Sequence, residues 1–140
     1  MRLGWGSRRA WAVVAVMAIV TTAQGAEVEV ENLRVGFAGN TQNNLFKIGT
    51  WTPVWVQLKG SGERFTGMME VEVPDDDGTP TYFRQVVDVA PNSGARLVTY
   101  ARPGSRDPAF TIRLFDHRGR RRGPAVDGSK LAQLSPVQAD

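Results

Sequence analysis

Val54-Trp55-Val56-Gln57-Leu58-Lys59 sets an aliphatic residue at every second position. Successive side chains of an extended chain point to opposite faces, so Val54, Val56 and Leu58 share one face and Trp55, Gln57 and Lys59 the other. The aliphatic face is suited to a core, and the opposite face points outward. The same logic places strands near Val28 to Val35, Thr66 to Val73, Thr81 to Val89, Arg96 to Ala101 and Ala109 to Phe115. No stretch after Ala26 keeps a helical apolar period over ten residues. About six to seven strands at roughly ten-residue spacing predict an all-β fold, an antiparallel immunoglobulin-like β-sandwich.

The connections carry turn chemistry. Gly60-Ser61-Gly62, Asp77-Gly78 and Pro91-Asn92-Ser93-Gly94 hold residues that tolerate positive φ, as tight hairpins require. Val28 and Val30 share a parity that Leu33 and Val35 do not, so a bulge or bend is expected near Glu31-Asn32. Gly39 to Asn44 reads as a surface loop, after which Leu45-Phe46-Lys47-Ile48 returns the chain to the sheet. Beyond Phe115 the alternation weakens. Asp116-His117-Arg118-Gly119 is a turn, and residues 127–140 read as a linker or the truncated start of a following domain, with a short strand or helical turn at Lys130 to Leu134. The sandwich domain is therefore placed at residues 26–126, and the chain is expected to be an N-terminal piece of a longer protein.

Residues 1–25 read as a signal peptide. Arg2, Arg8 and Arg9 form a positive n-region, Trp11 to Val20 is an apolar run, and Ala23-Gln24-Gly25 offers a small-x-small cleavage pattern. The ten apolar residues span only about 15 Å as a helix, half of a bilayer core, which suits an h-region better than an anchor. Ser7-Arg8-Arg9-Ala10-Trp11 is also a partial match to a twin-arginine signal, although Ala12 and Val13 stand where that signal prefers leucine and lysine. Both routes lead to the periplasm or cell envelope, with membrane contact through the signal segment only.

Charge and cysteine narrow the function classes. Of 17 Lys+Arg and 14 Asp+Glu, three arginines and no acid lie in residues 1–26, which leaves the remainder balanced. The formal charge of +3 thus belongs to the targeting segment and gives no reason to expect a nucleic-acid partner. Cysteine is absent, so an exported chain of this kind must rest on an apolar core and not on disulfides. About 115 mature residues suffice for one such core.

Phe46-Lys47-Ile48-Gly49-Thr50-Trp51-Thr52-Pro53-Val54-Trp55-Val56-Gln57-Leu58 resembles a strand motif in the N-terminal β-sandwich of large, uncharacterised bacterial envelope proteins. The Gly-x-x-x-Val-x-Val strand from Gly67 to Val73 and the Pro-Asp-x-Asp-Gly turn from Pro74 to Gly78 agree with it, and the similarity covers about residues 33 to 116. The resemblance implies further domains and a membrane anchor downstream, and it brings no catalytic residues. Such relatives often carry a basic residue where this chain has Trp55, so the outward tryptophan is a departure.

Three groups of residues are candidate sites. Trp51, Trp55 and Tyr82 form an expected outward aromatic platform that could stack on sugar rings or dock another domain. Asp75 and Asp77, with Asp76 between them and Gly78 after, are candidate calcium ligands, although a calcium site needs six or more oxygens and a polar hairpin tip explains the same residues. His117, Arg118, Arg120, Arg121 and Arg122 form a basic patch or a solvated turn. One histidine, no cysteine and no Gly-x-Ser-x-Gly elbow give no common nucleophilic or zinc constellation. The sequence thus predicts an exported non-enzymatic module without a cofactor, whose partner is another protein or a downstream domain. The alternative is a module that binds envelope polysaccharide.

Overall fold

The alternation at Val54–Lys59 becomes the middle strand of a sheet. The computed structural model of the chain describes residues 27–37, 45–131 and 135–136. The expected signal segment, the loop expected at Gly39 to Asn44 and positions 132–134 and 137–140 of the expected linker lie outside them. The described strands are β1 (Glu27–Val35), β2 (Leu45–Phe46), β3 (Thr52–Ser61), β4 (Phe65–Pro74), β5 (Pro80–Val89), β6 (Gly94–Ala101), β7 (Thr111–Asp116), β8 (Arg121–Asp127) and β9 (Ser135–Pro136). A single-turn helix, α1 (Gly128–Leu131), follows β8.

Two antiparallel sheets result, one ordered β1-β3-β6 and the other β5-β4-β7-β8. Val54, Val56 and Leu58 of β3 are fully buried and share one core with Met69, Val71 and Val73 of β4, Val87 and Val89 of β5 and Ile112 of β7. Burying each such side chain contributes about 1.5–3 kcal/mol, which is what holds the two sheets face to face. The fold is all-β with two antiparallel sheets, as the alternation predicts.

The expected bulge is present. Val30 pairs with Leu58 and Asn32 with Gln57, so Glu31 is an extra residue in β1. That insertion returns Leu33 and Val35 to the face already occupied by Val28 and Val30. It also fixes what stands outside, because Arg34 then pairs with Trp55.

Register gives the molecule two unlike poles. At one, the end of β3 meets the β5–β6 turn, where Gly60 N–H donates to the Ser93 carbonyl at 2.8 Å and Gly62 N–H to Asn92 Oδ1 at 2.9 Å. At the other, β3 begins and β1 and β6 end. There the connection after β6 ties both sheets: Gly49 N–H donates to the Pro103 carbonyl (2.7 Å) and Gly104 N–H to the Pro74 carbonyl (3.1 Å). Among the described residues, the exposed large apolar side chains gather at this second pole. Phe37, Ile48 and Trp51 lie on its loops, Leu45 on β2, Tyr82 and Tyr100 near the strand ends, and Leu131 on α1, while Val86 alone lies elsewhere.

One expectation needs correction. Leu45-Phe46 does not rejoin either large sheet: β2 pairs with β9, and in parallel. Part of the expected 127–140 linker is fastened to the domain. Gly128 is buried and donates its N–H to the Phe110 carbonyl at 2.7 Å, and Asp127 accepts from the Ser129 amide (3.0 Å) and hydroxyl (2.6 Å) as a cap for α1. Those bonds hold the Asp127 carboxyl below its ordinary range, the Ser129 hydroxyl most of all.

Candidate functional site

Trp51 precedes β3 by one residue and is therefore free of its pleat. It turns toward the other sheet and meets Phe83 of β5 edge-on, with centroids 5.6 Å apart and planes at 81°. Trp51 as a whole remains 57 % exposed. Beside this pair lies a hollow of about 250 Å³, bounded also by Asp75, Asp76, Thr81 and Arg102. Arg102 is held in place, its Nε donating to the Gly49 carbonyl at 2.8 Å. An aromatic pair, two aspartates and a fixed arginine thus line one recess, a combination suited to a ligand with both an apolar face and polar edges.

Asp75 faces this recess but spends much of its hydrogen-bonding capacity on its own turn. Its Oδ1 accepts from Thr79 N–H (2.8 Å) and Asp77 N–H (3.3 Å), and Asp77 Oδ1 accepts from the same Thr79 N–H (2.9 Å). Gly78, at φ 85°, closes the turn in a conformation glycine adopts without strain. The hydrogen bond that Asp75 shares with Asp77 pushes the Asp75 carboxyl up. The Thr79 hydroxyl and then Asp75 itself hold Asp77 down. The two acids are therefore spent mainly on the backbone amides of their own hairpin. Among the described residues no three histidines, cysteines or acids gather in a way that could hold a metal ion.

The aromatic platform expected from Trp51, Trp55 and Tyr82 does not assemble. Trp55 lies on the outer face of the three-stranded sheet, opposite in pleat to the buried Val54 and Val56. Tyr82 lies on the outer face of the four-stranded sheet, opposite in pleat to Phe83, Val87 and Val89. The core separates those faces, so they point in opposite directions. What does come together is Trp51 with Asp75, members of two separately read groups. Phe83 and Arg102 complete the recess and carried no sequence signal: Phe83 alternates like any strand residue, and Arg102 lies in a connection.

Trp55 is also less available than its parity implies. The Arg34 guanidinium sits 5.1 Å from its ring centroid, a cation–π contact that covers one face of the indole. The basic patch is likewise engaged in part: Arg120 Nε and Arg122 Nη2 each stand 3.2 Å from Asp116 Oδ2. Asp116 Oδ1 accepts from the Arg118 and Arg120 amides at 2.9 Å each. These bonds, the Arg120 amide first, hold its carboxyl below the ordinary range against the opposing effect of burial.

The protein is thus a two-sheet all-β domain with an aromatic recess at its apolar pole. It belongs to the family described as Domain of unknown function (DUF8726), whose match covers residues 26–131. No curated protein matches the chain.

Proposed function

We propose that the chain is an exported, non-enzymatic module of the bacterial cell envelope that works by docking another protein or a neighbouring domain. We read the two sheets as an immunoglobulin-like sandwich. One observation carries the docking: Phe37, Leu45, Ile48, Trp51 and Leu131 are exposed at a single pole, while the opposite pole is formed by polar turns such as Asp116 to Gly119. Exposed apolar groups concentrated on one surface are what a partner covers. Export rests on the arginines, apolar run and small residues of the first 25 positions.

The test is site-specific photo-crosslinking in cells with the full chain, the reactive group replacing Ile48 in one version and Arg118 in another. Position 48 should give discrete protein adducts in the envelope fraction and position 118 should not. Absence of adducts at 48, or recovery of the chain in the cytoplasm, overturns the reading.

The recess at Trp51 favours a second reading, binding of an envelope polysaccharide. An exposed indole flanked by Asp75, Asp76 and Arg102 can stack on a sugar ring while polar groups take its hydroxyls. Affinity electrophoresis through polysaccharide gels decides it. Retardation that Trp51→Ala removes supports the reading, and unretarded migration through every polysaccharide sinks it.

A further inference from the structure

On the outer face of the three-stranded sheet lies a hollow of about 140 Å³, unlike the apolar pole's recess in its chemistry. It is lined by Asn32 and Arg34 of β1, Trp55 and Gln57 of β3, and Arg96 of β6. The register explains the convergence: Arg34 stands opposite Trp55, and Gln57 stands between Asn32 and Arg96. β1 and β6 flank β3, so the two arginines start about 10 Å apart laterally, a gap their long side chains can close upon one small anion.

Two N–H groups here are buried and have no partner, Arg34 Nε and Trp55 Nε1. Buried donors are nearly always satisfied, and two at one hollow ask for a shared acceptor. Neither Arg34 nor Arg96 has an ion pair among the described residues, unlike Arg84, Arg113, Arg120 and Arg122. The acid that adjoins the hollow along β1 is Glu31, the bulge residue, whose Oε2 is occupied by Gln57 Nε2 at 2.7 Å. The hollow therefore combines two guanidinium charges and an indole donor with no carboxylate in its lining.

We propose that this hollow binds a carboxylate, presented by a free small acid or by an Asp or Glu side chain of a protein. Arginine favours planar carboxylates because its forked donors match the two oxygens, and the indole N–H supplies a third donor. The volume admits the carboxylate with a few carbons. A carboxylate here offers an acceptor to the two orphaned donors and gives Trp55 a part in recognition.

The test is titration of the full 15N-labelled chain at constant ionic strength, following the indole N–H resonance of Trp55, assigned with Trp55→Phe. Succinate, a blocked Gly-Glu-Gly peptide and inorganic phosphate are the probes. A saturable shift with succinate alone identifies a free acid as the source, and a shift with the peptide as well identifies a protein side chain. Arg96→Gln removes one of the two guanidinium charges and should weaken binding about tenfold. Glu31→Gln should tighten it, because it removes the adjoining negative charge. No shift with either carboxylate, an equal shift with phosphate, or unchanged affinity in Arg96→Gln overturns the proposal.

Discussion

Trp51 and Phe83 meet edge-to-face at 5.6 Å and 81°, joining the residue just ahead of β3 to the inner side of β5. This contact crosses from one sheet to the other at the apolar pole. It is the means by which a largely exposed tryptophan is held still, since an indole resting only on its own strand would have many orientations. Removing it should cost about 0.5–1.5 kcal/mol, the usual worth of an aromatic pair beyond its burial. Trp51→Ala should therefore lower the urea midpoint slightly without altering the slope, and Trp51→Leu should fall between the two. A loss as large as that of a core truncation would show that the indole supports the sheets and is not primarily a surface group.

Glu70 is the most buried acid of the four-stranded sheet's ion-pair ladder, its side chain 7 % exposed between Arg84 and Arg113. Register builds the ladder: Glu70 of β4 lies opposite Arg84 of β5 and Arg113 of β7. Arg113 also reaches Glu72, so one guanidinium serves two carboxylates. Glu70→Ala should cost about 1–3 kcal/mol in chemical denaturation, because it strips the acceptor from a half-buried arginine. Arg84→Ala should cost under about 1 kcal/mol, since that side chain is 61 % exposed and its pairing is screened by water. Equal losses from both would mean that the ladder acts as a unit.

Gly104 is held where no side chain fits. A Cβ there would overlap the Asp75 carbonyl group and the Asp76 nitrogen, both rigid backbone. Gly104→Ala must push the connection after β6 away from the β4–β5 hairpin and break the Gly104 N–H to Pro74 bond. The expected cost is about 1–3 kcal/mol. Because Gly104 and Asp75 both border the recess at Trp51, the same variant should change the Trp51 indole resonance while leaving that of Trp55 in place. Movement of both signals would indicate a global disturbance.

Much of the fold is legible in the residues because parity and burial agree. Val54, Val56 and Leu58 announce their face, and the parity break after Val30 announces the bulge. β8 escapes for a physical reason. It is an edge strand with only Val126 partly buried, and Gly123 and Pro124 interrupt it at the register shift opposite Ile112 and Leu114. Such a strand is defined by backbone pairing, which no side-chain pattern reports. The sites are harder still. Trp51 meets Asp75 and Arg102 only through the way separate connections close one pole. Arg34 meets Trp55 only because a single extra residue, Glu31, shifts the outward set of β1.

Asp116 gives the clearest dependence on pH. Its carboxylate accepts two amide bonds and faces Arg120 and Arg122, and the resulting depression of its pKa means that the folded state binds the proton less readily than the unfolded chain. That contribution is complete above the ordinary aspartate range and disappears as pH falls through the lower folded value. Asp77 and Asp127, also depressed, add in the same direction, whereas the raised Asp75 opposes them. Asp116→Asn keeps an oxygen for the Arg118 and Arg120 amides but removes the charge. Thermal melts of this variant should therefore lie below those of the unmodified protein at neutral pH and approach them in acid. A constant separation between the two melting curves from neutral to strongly acid pH would show that the charge of Asp116 contributes nothing and that shape alone accounts for the loss.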